Sequence, residues 1–157
     1  MTEEDNQVPA ESGPEFAILR IYLKDVSFET PNSPGVFAQE FKPEISLQLN
    51  TAIKKIENDI YEVVLSITVT AKQGEQTGFL VEVQQAGLFT LKGFDEAQKG
   101  PMLGAYCPNT LFPYAREEIS GLVSKGGFPP VLLSPINFDM IYAEKAAENA
   151  QPAASAS

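Results

Sequence analysis

The fold class of this chain is decided by residues 60–91, IYEVVLSITVTAKQGEQTGFLVEVQQAGLFTL. Apolar side chains occupy every second position over most of residues 60–72, and a similar alternation recurs in residues 78–91. A period of two predicts β-strands with one buried face. The intervening Gln73-Gly74-Glu75 has the composition of a turn. We therefore expect an antiparallel hairpin, in which Gly87 marks a bulge or bend.

A third strand is predicted immediately upstream, at Glu44–Ile53. Its apolar residues Ile45, Leu47 and Leu49 alternate with polar ones. Glu57-Asn58-Asp59 supplies the turn into the next strand. Three consecutive strands with short connections predict an antiparallel meander.

Phe16–Phe28 predicts a first strand, but its apolar residues fall on both faces. A strand that is apolar on both faces is either buried on both or touches a second subunit. The following link, Glu29–Pro43, contains Pro31, Pro34 and Pro43 and therefore excludes a helix or a central strand. Ordered links of this length are often functional.

From Phe94 onward the chain has a helical pattern. Apolar side chains recur at a period near 3.6 in residues 111–123, which predicts an amphipathic helix. Asn109 or Thr110 is the expected N-cap, so Pro113 falls in or next to the first turn. Gly126-Gly127 provides the C-terminal stop.

A last short helix is expected after Asn137, which serves as its N-cap. Phe138, Ile141 and Tyr142 share one side of this helix. A β half followed by a helical half predicts an α+β fold, with helices on one face of an antiparallel sheet.

Composition excludes most enzyme chemistry. The 157 residues contain no His and a single Cys, Cys107, and they show no Walker or Rossmann glycine pattern. Imidazole catalysis, a multi-cysteine zinc site and an internal disulfide are therefore excluded. The adjacent carboxylates Asp95-Glu96 and Glu117-Glu118 are best interpreted as solvated. We expect no enzyme, no cofactor and no metal, although a carboxylate pair assembled from distant segments stays an open alternative.

Charge divides the chain into a core and two ends. The formal net charge is -10, and the first fifteen residues hold five acids and no Lys or Arg. We expect a disordered acidic arm over residues 1–15, a single domain over 16–145 and a flexible tail over 146–157. No signal peptide, membrane span or basic nucleic-acid footprint is predicted, so cytoplasmic residence fits best. The acidic ends either attract cationic partners or only maintain solubility.

Several aromatic residues lie where a simple core does not require them. They include Phe37 and Phe41 in the proline-rich link and Tyr114 near the start of the predicted helix. Either the link packs these rings inward as a lid, or link, sheet and helix enclose an apolar groove for an extended hydrophobic ligand.

Several stretches of the chain match one known family in order and spacing. The most specific are Leu103–Asn109 (LGAYCPN) and Leu111–Glu117 (LFPYARE). Shorter matches are Arg20–Tyr22, Lys24-Asp25, Ser27–Glu29, Tyr61–Leu65, Glu82–Gln85 and Pro135–Asp139. Through these stretches the chain resembles, over residues 16–142, the SecB export chaperones of proteobacteria.

This resemblance implies an ATP-independent holdase of the cytoplasm that binds unfolded precursor proteins and delivers them to the SecA motor. It also implies a four-stranded antiparallel sheet with helices on one side, and a homotetramer built as a dimer of dimers. The alternative is a dedicated single-client or antitoxin-associated chaperone of the same fold.

The resemblance also assigns roles to residues. SecA's basic, zinc-bearing C-terminal tail is expected on Asp25, Glu29, Leu80 and Glu82, and the zinc belongs to that partner. Tetramer contacts are expected from Val81, Val83 and Gln85. The peptide groove is expected to be lined by Phe28, Phe37, Phe41, Tyr114 and Phe138. Val81 stands where relatives often have Cys, and Phe41 where some have Trp.

Overall fold

The computed structural model describes residues 13–150 and has an α+β fold. Its four strands are β1 (Glu15–Glu29), β2 (Glu44–Glu57), β3 (Ile60–Gln73) and β4 (Gln76–Lys92). They form one antiparallel sheet in the order β1-β4-β3-β2. The predicted meander β2-β3-β4 is confirmed, and β1 is added beside β4 as an edge strand.

Helices follow the sheet in the chain. They are α1 (Glu96–Pro101), a π-helical turn (Met102–Tyr106), α2 (Cys107–Lys125) and α3 (Phe138–Ala150). The link between β1 and β2 contains one turn of 3-10 helix, Gly35–Ala38, and is otherwise irregular. Within the described residues, no helix has both the length and the apolarity required to cross a membrane.

The mixed pattern of β1 comes from two bulges. Pairing with β4 shifts by one residue between Ile18 and Arg20 and again between Leu23 and Asp25. Because each bulge reverses the alternation, Ile18, Leu23 and Val26 all pair with residues of the helix-covered side. The prediction that β1 is apolar on both faces was therefore wrong, since its opposite face is mostly polar.

Gly87 is not the site of a bulge. It pairs in register with Val63 on one side and Ile21 on the other. A Cβ atom here would lie 2.7 Å from Cε2 of Phe89 and 3.2 Å from Cδ2 of Leu111. The missing side chain thus allows the helix layer to approach the sheet closely.

The helical region begins after Phe94 as the sequence predicts, but its main helix starts before the expected N-cap. Asp95 caps α1 by accepting a hydrogen bond from the Gln98 backbone N–H at 2.8 Å, and the Gln98 side chain completes a capping box. Thr110 is interior, where its hydroxyl donates to the Tyr106 carbonyl at 3.0 Å. Pro113 also lies inside α2 rather than near its first turn. The predicted N-cap was therefore wrong, because Gly100, Pro101 and Gly104 obscured the helical period of the preceding residues.

The helix ends agree better with prediction. Gly127 has a φ of 87° and terminates α2 in the left-handed region, whereas Gly126 remains helical in conformation. Asn137 accepts a hydrogen bond from the Met140 backbone N–H at 3.0 Å, which confirms its role as a cap. The expected tail begins at Ala146, but α3 continues to Ala150, and residues 151–157 lie outside the described residues.

The core lies between the sheet and α2. Leu111, Ala115, Ile119 and Val123 of α2 are fully buried, as are the helix-side residues of β3 and β4. The helix-side residues of β2 are not covered in the same way, and most of them stay exposed. The candidate functional site lies on this uncovered part of the sheet.

Candidate functional site

An uncovered apolar strip runs along the helix side of β2. Ile45, Leu47 and Ile53 retain 45%, 44% and 47% of their surface, although their partners on β3 are buried. Leu49 is half-buried between them. We call Ile45, Leu47, Leu49 and Ile53 the β2 strip.

A cleft of about 610 Å³ separates the far end of the β2 strip from α3. Its lining is Leu49, Asn50, Thr51, Ile53, Gly104, Ile141, Tyr142, Lys145, Ala146, Asn149 and Ala150. One wall is held by Tyr142, whose ring fits against Gly100 and Gly104 so closely that a Cβ at either glycine would overlap it. The other end of α3 is anchored by Phe138, which is buried against Phe112.

Five phenylalanines gather at the opposite end of the strip. Phe41 and Phe79 both contact Phe128, at centroid distances of 5.0 and 5.2 Å. Phe37 lies 5.3 Å from Phe128, and Phe28 lies 6.3 Å from Phe79. Phe37 is 50% exposed, Phe28 and Phe41 are half-buried, and the other two are buried. We call these residues the phenylalanine cluster.

The strip and the cluster share the helix side of the sheet. Ile45 pairs with Ala71, and Ala71 pairs with Phe79, so the two surfaces meet through adjacent strands. Phe28, Phe37 and Phe41 were expected to lie together, whereas Phe128 was not expected among them. The available signal was an aromatic residue placed between the helix stop Gly126-Gly127 and Pro129-Pro130.

Tyr114 and Phe138 do not join the phenylalanine cluster. Tyr114 is 50% exposed and borders a polar hollow with Glu117 and Lys125 on α2. Phe138 keeps only 3% of its surface. The expectation that Phe138 lines an open groove is therefore corrected, because burial against Phe112 occupies its ring.

The predicted acidic residues come together on the opposite face of the sheet. Glu29 pairs with Leu80, and Ser27 between Asp25 and Glu29 pairs with Glu82. Because cross-strand partners share a face, all four residues lie on the side away from the helices. Asp25 and Glu29 are exposed, and Leu80 and Glu82 are half-buried. We call Asp25, Glu29, Leu80 and Glu82 the acidic surface.

The predicted subunit contacts are buried inside the single chain. Val81 and Val83 have no exposed surface, and Gln85 keeps 5%. The Gln85 side-chain amide donates to the Tyr22 carbonyl at 3.0 Å. The expected contact of these side chains with a second copy is therefore corrected, because packing inside the chain leaves almost none of their surface free.

The outer face also holds a polar network. Both the Tyr22 hydroxyl and the Lys24 ammonium donate to Glu62, the latter at 2.8 Å. Burial of the ring and the bond to Glu62 raise the pKa of Tyr22 to about 12. The bonds from Lys24 and Tyr22 lower the pKa of Glu62. The network ties the edge strand β1 to β3 across β4.

The reactive side chains of the described residues were compared with the needs of a catalytic or metal site. Burial raises the pKa of the Cys107 thiol to about 12, so it is not a nucleophile near neutral pH. Among residues 13–150, no group of His, Cys, Asp and Glu has the arrangement of a metal site. The chemistry that this part of the chain offers is apolar contact on one side of the sheet and negative charge on the other.

Comparison with known proteins identifies the family. A family model described as preprotein translocase subunit SecB matches residues 9–149. The chain belongs to the SecB family. It is 52% identical to protein-export protein SecB of Methylococcus capsulatus over 153 residues, which cover 96% of this chain and 97% of that protein. Protein-export protein SecB of Marinobacter nauticus is 58% identical over 131 residues, covering 83% and 79%.

A solved structure shares the SecB fold at lower similarity. It is the SecB-like chaperone of Mycobacterium tuberculosis in complex with a peptide from an antitoxin, with a TM-score of 0.63 and 18% identity. The superposition covers 77% of this chain and 90% of that one. SecB membership makes this chain a chaperone of protein export, in a family of chaperones rather than of enzymes. The antitoxin-associated alternative is not favoured.

Proposed function

We propose that this SecB chain holds unfolded precursors of exported proteins on the β2 strip and the phenylalanine cluster, and that it passes them to SecA through the acidic surface. We further propose that it works without ATP, in the cytoplasm, as a homotetramer built from two dimers. The observation that carries the proposal is the β2 strip. Its aliphatic side chains are of the kind that normally fill a core, yet they are left half-exposed.

The β2 strip suits a ligand without fixed structure. A side chain that covers it gains roughly 25 cal/mol for each Å² of apolar surface removed from water, whatever its sequence. Single contacts of this kind are weak. Several copies acting on one client raise the effective concentration of binding surface, so the complex gains avidity without strong local affinity. A client bound only when unfolded is held back from folding by mass action.

Delivery is proposed to depend on charge. Asp25, Glu29 and Glu82 offer three carboxylates around Leu80, which suits a basic segment with an apolar contact. The proposed partner is the basic, zinc-bearing C-terminal tail of SecA. Complementary charge accelerates encounter and makes binding sensitive to ionic strength.

The proposed tetramer has an apolar surface available on β1. Ile18, Leu23 and Val26 keep 46%, 42% and 39% of their surface on the helix side of this edge strand. A second copy that covers them removes exposed apolar area from both chains. Sedimentation velocity tests the assembly, and a monomer at micromolar concentration contradicts it.

Client binding is tested by the delay in refolding of a slow-folding precursor. Leu47→Ser removes apolar surface from the middle of the β2 strip and is expected to reduce the delay. The matched control is Gln48→Ser, since Gln48 is the next residue of the same strand and faces the opposite side. Equal delay with both variants contradicts the proposed client surface.

SecA docking is tested with a synthetic peptide of the SecA tail. Glu82→Gln is expected to weaken binding and to flatten its dependence on salt, because one of three carboxylates is neutralised. The matched control is Glu117→Gln on the solvent side of α2. Affinity for the peptide that is the same at low and high ionic strength contradicts electrostatic docking.

A further inference from the structure

The link between β1 and β2 carries Phe37 and Phe41 but has little regular structure of its own. Gly35–Ala38 forms one helical turn, and residues 39–43 are irregular. A segment of this kind keeps its position only where other parts of the fold contact it. The placement of Phe41 in the phenylalanine cluster therefore depends on what holds the neighbouring backbone.

Gln73, the last residue of β3, supplies that contact. Its side-chain N–H donates to the Glu40 carbonyl at 2.9 Å, and its side-chain oxygen accepts from the Lys42 backbone N–H at 3.0 Å. The two bonds hold the backbone immediately before and after Phe41. Because one planar amide makes both, it fixes the direction of this stretch as well as its distance from the sheet. We call these two hydrogen bonds the Gln73 clamp.

The ring of Phe41 packs against the same end of the β3–β4 hairpin. A Cβ at Gly78 would lie 2.8 Å from Cε2 of Phe41, so the ring occupies space that a larger residue would fill. On its other side the ring contacts Phe128, at a centroid distance of 5.0 Å. Earlier in the link, the Asn32 side chain donates to the Thr77 carbonyl at 2.9 Å. The end of this hairpin thus contacts the link through both its backbone and its ring.

We propose that Gln73 is a positioning residue of the client surface, whose clamp holds the Phe41 ring in the phenylalanine cluster. This inference rests on the proposed client-binding function and adds a residue that acts through Phe41 rather than by touching the client. Without the clamp the ring samples other positions, and ordering it again in the complex costs affinity.

The experiment measures binding of the full chain to ribonuclease A that is labelled, reduced and carboxymethylated so that it cannot refold. Gln73→Met keeps the length of the side chain and removes both hydrogen bonds. We expect binding to weaken about threefold to tenfold, as the loss of neutral hydrogen bonds allows. The matched control is Gln76→Met, at the residue that pairs with Gln73 across the hairpin, and it should stay within about twofold of the parent.

A positioning role is separated from a general loss of structure by the Phe41→Ala background. There Gln73→Met should change the affinity by less than about 1.5-fold, because the ring that the clamp positions is already gone. Gly78→Ala displaces the same ring by another route, since the new Cβ overlaps it, and should depend on Phe41 in the same way. In amide exchange, the Lys42 N–H should exchange at least about tenfold faster in Gln73→Met and not in Gln76→Met.

The outcomes that overturn the inference are distinct from failure of the proposed function. Unchanged affinity in Gln73→Met overturns the positioning role and leaves the proposed client surface intact. A loss that is equally large in the Phe41→Ala background also overturns it, because Gln73 then acts on another part of the fold. Absence of binding by the parent chain is a separate result, which overturns the proposed function and this inference with it.

Discussion

Removal of the Tyr22 hydroxyl is expected to destabilise the fold measurably. This hydroxyl donates to Glu62, and the pKa of Tyr22 rises from 10.0 to about 12 as a result of burial and that bond. A rise of this size corresponds to about 2–3 kcal/mol in favour of the neutral phenol. Much of this preference is a penalty on the buried phenolate, which governs the pH dependence. At pH 7 the expected cost of Tyr22→Phe comes instead from the lost hydrogen bond to charged Glu62, about 1.5–3 kcal/mol.

The sign of the pH dependence follows from the raised pKa. The stabilisation is complete below pH 10, where Tyr22 is neutral in both the folded and the unfolded chain. It is lost as the pH rises from 10 to about 12, because only the unfolded chain then ionises freely. The difference in unfolding free energy between the parent and Tyr22→Phe should therefore shrink across this interval.

Urea unfolding at one fixed protein concentration measures this difference at pH 7, 9, 10 and 11. Tyr106→Phe is the matched control, since Tyr106 is 54% exposed and its ring keeps the edge contact with Phe16 in either form. The reasoning is refuted if Tyr22→Phe costs no more than Tyr106→Phe at pH 7. It is also refuted if the difference between parent and variant stays constant up to pH 11.

Three further predictions concern packing. Gly104→Ala should loosen α3, seen as faster amide exchange across that helix, because the new Cβ overlaps Tyr142; Gly121→Ala, with open space at its Cβ, should not. Phe128→Ala should lower the free energy of unfolding by about 3–5 kcal/mol in urea titrations, since this buried ring contacts three others. A loss of less than about 1 kcal/mol would contradict its central place in the phenylalanine cluster. Cys107 should react with a thiol reagent at pH 8 only as fast as the chain unfolds, because burial raises the pKa of its thiol to about 12. Rapid labelling of the folded chain would contradict that burial.

The extent to which the sequence predicted the site differs between its two faces. The family resemblance named Asp25, Glu29, Leu80 and Glu82 as a set, and the strand pairing places all four on one face, while their binding of SecA stays a prediction. The groove was predicted only in part. Phe28, Phe37 and Phe41 lie in one cluster, but Phe128, which contacts Phe37 and Phe41, follows α2 in the chain. That contact between distant segments has no periodic signal.

The errors in local structure have physical causes as well. The bulges in β1 made its apolar residues seem to face both ways, because a single extra residue reverses every side chain that follows it. The start of the main helix was misplaced because Gly100, Pro101 and Gly104, which precede it, are poor helix formers in isolation. In the folded chain Gly100 and Gly104 leave room for the Tyr142 side chain to pack against them, and helix propensity does not indicate this contact.

The sequence by itself determined β2, β3 and β4, the body of the main helix and the apolar face of each, because periods of two and 3.6 are local properties of the chain. Only the tertiary structure decided which apolar faces remain open. β2 and β3 carry the same alternation, yet Val63 and Ile67 are buried while Ile45 and Leu47 are half-exposed. The difference arises because α2 covers β3 and β4 and does not reach β2, and the reach of one layer over another is set by packing between residues that are remote in sequence.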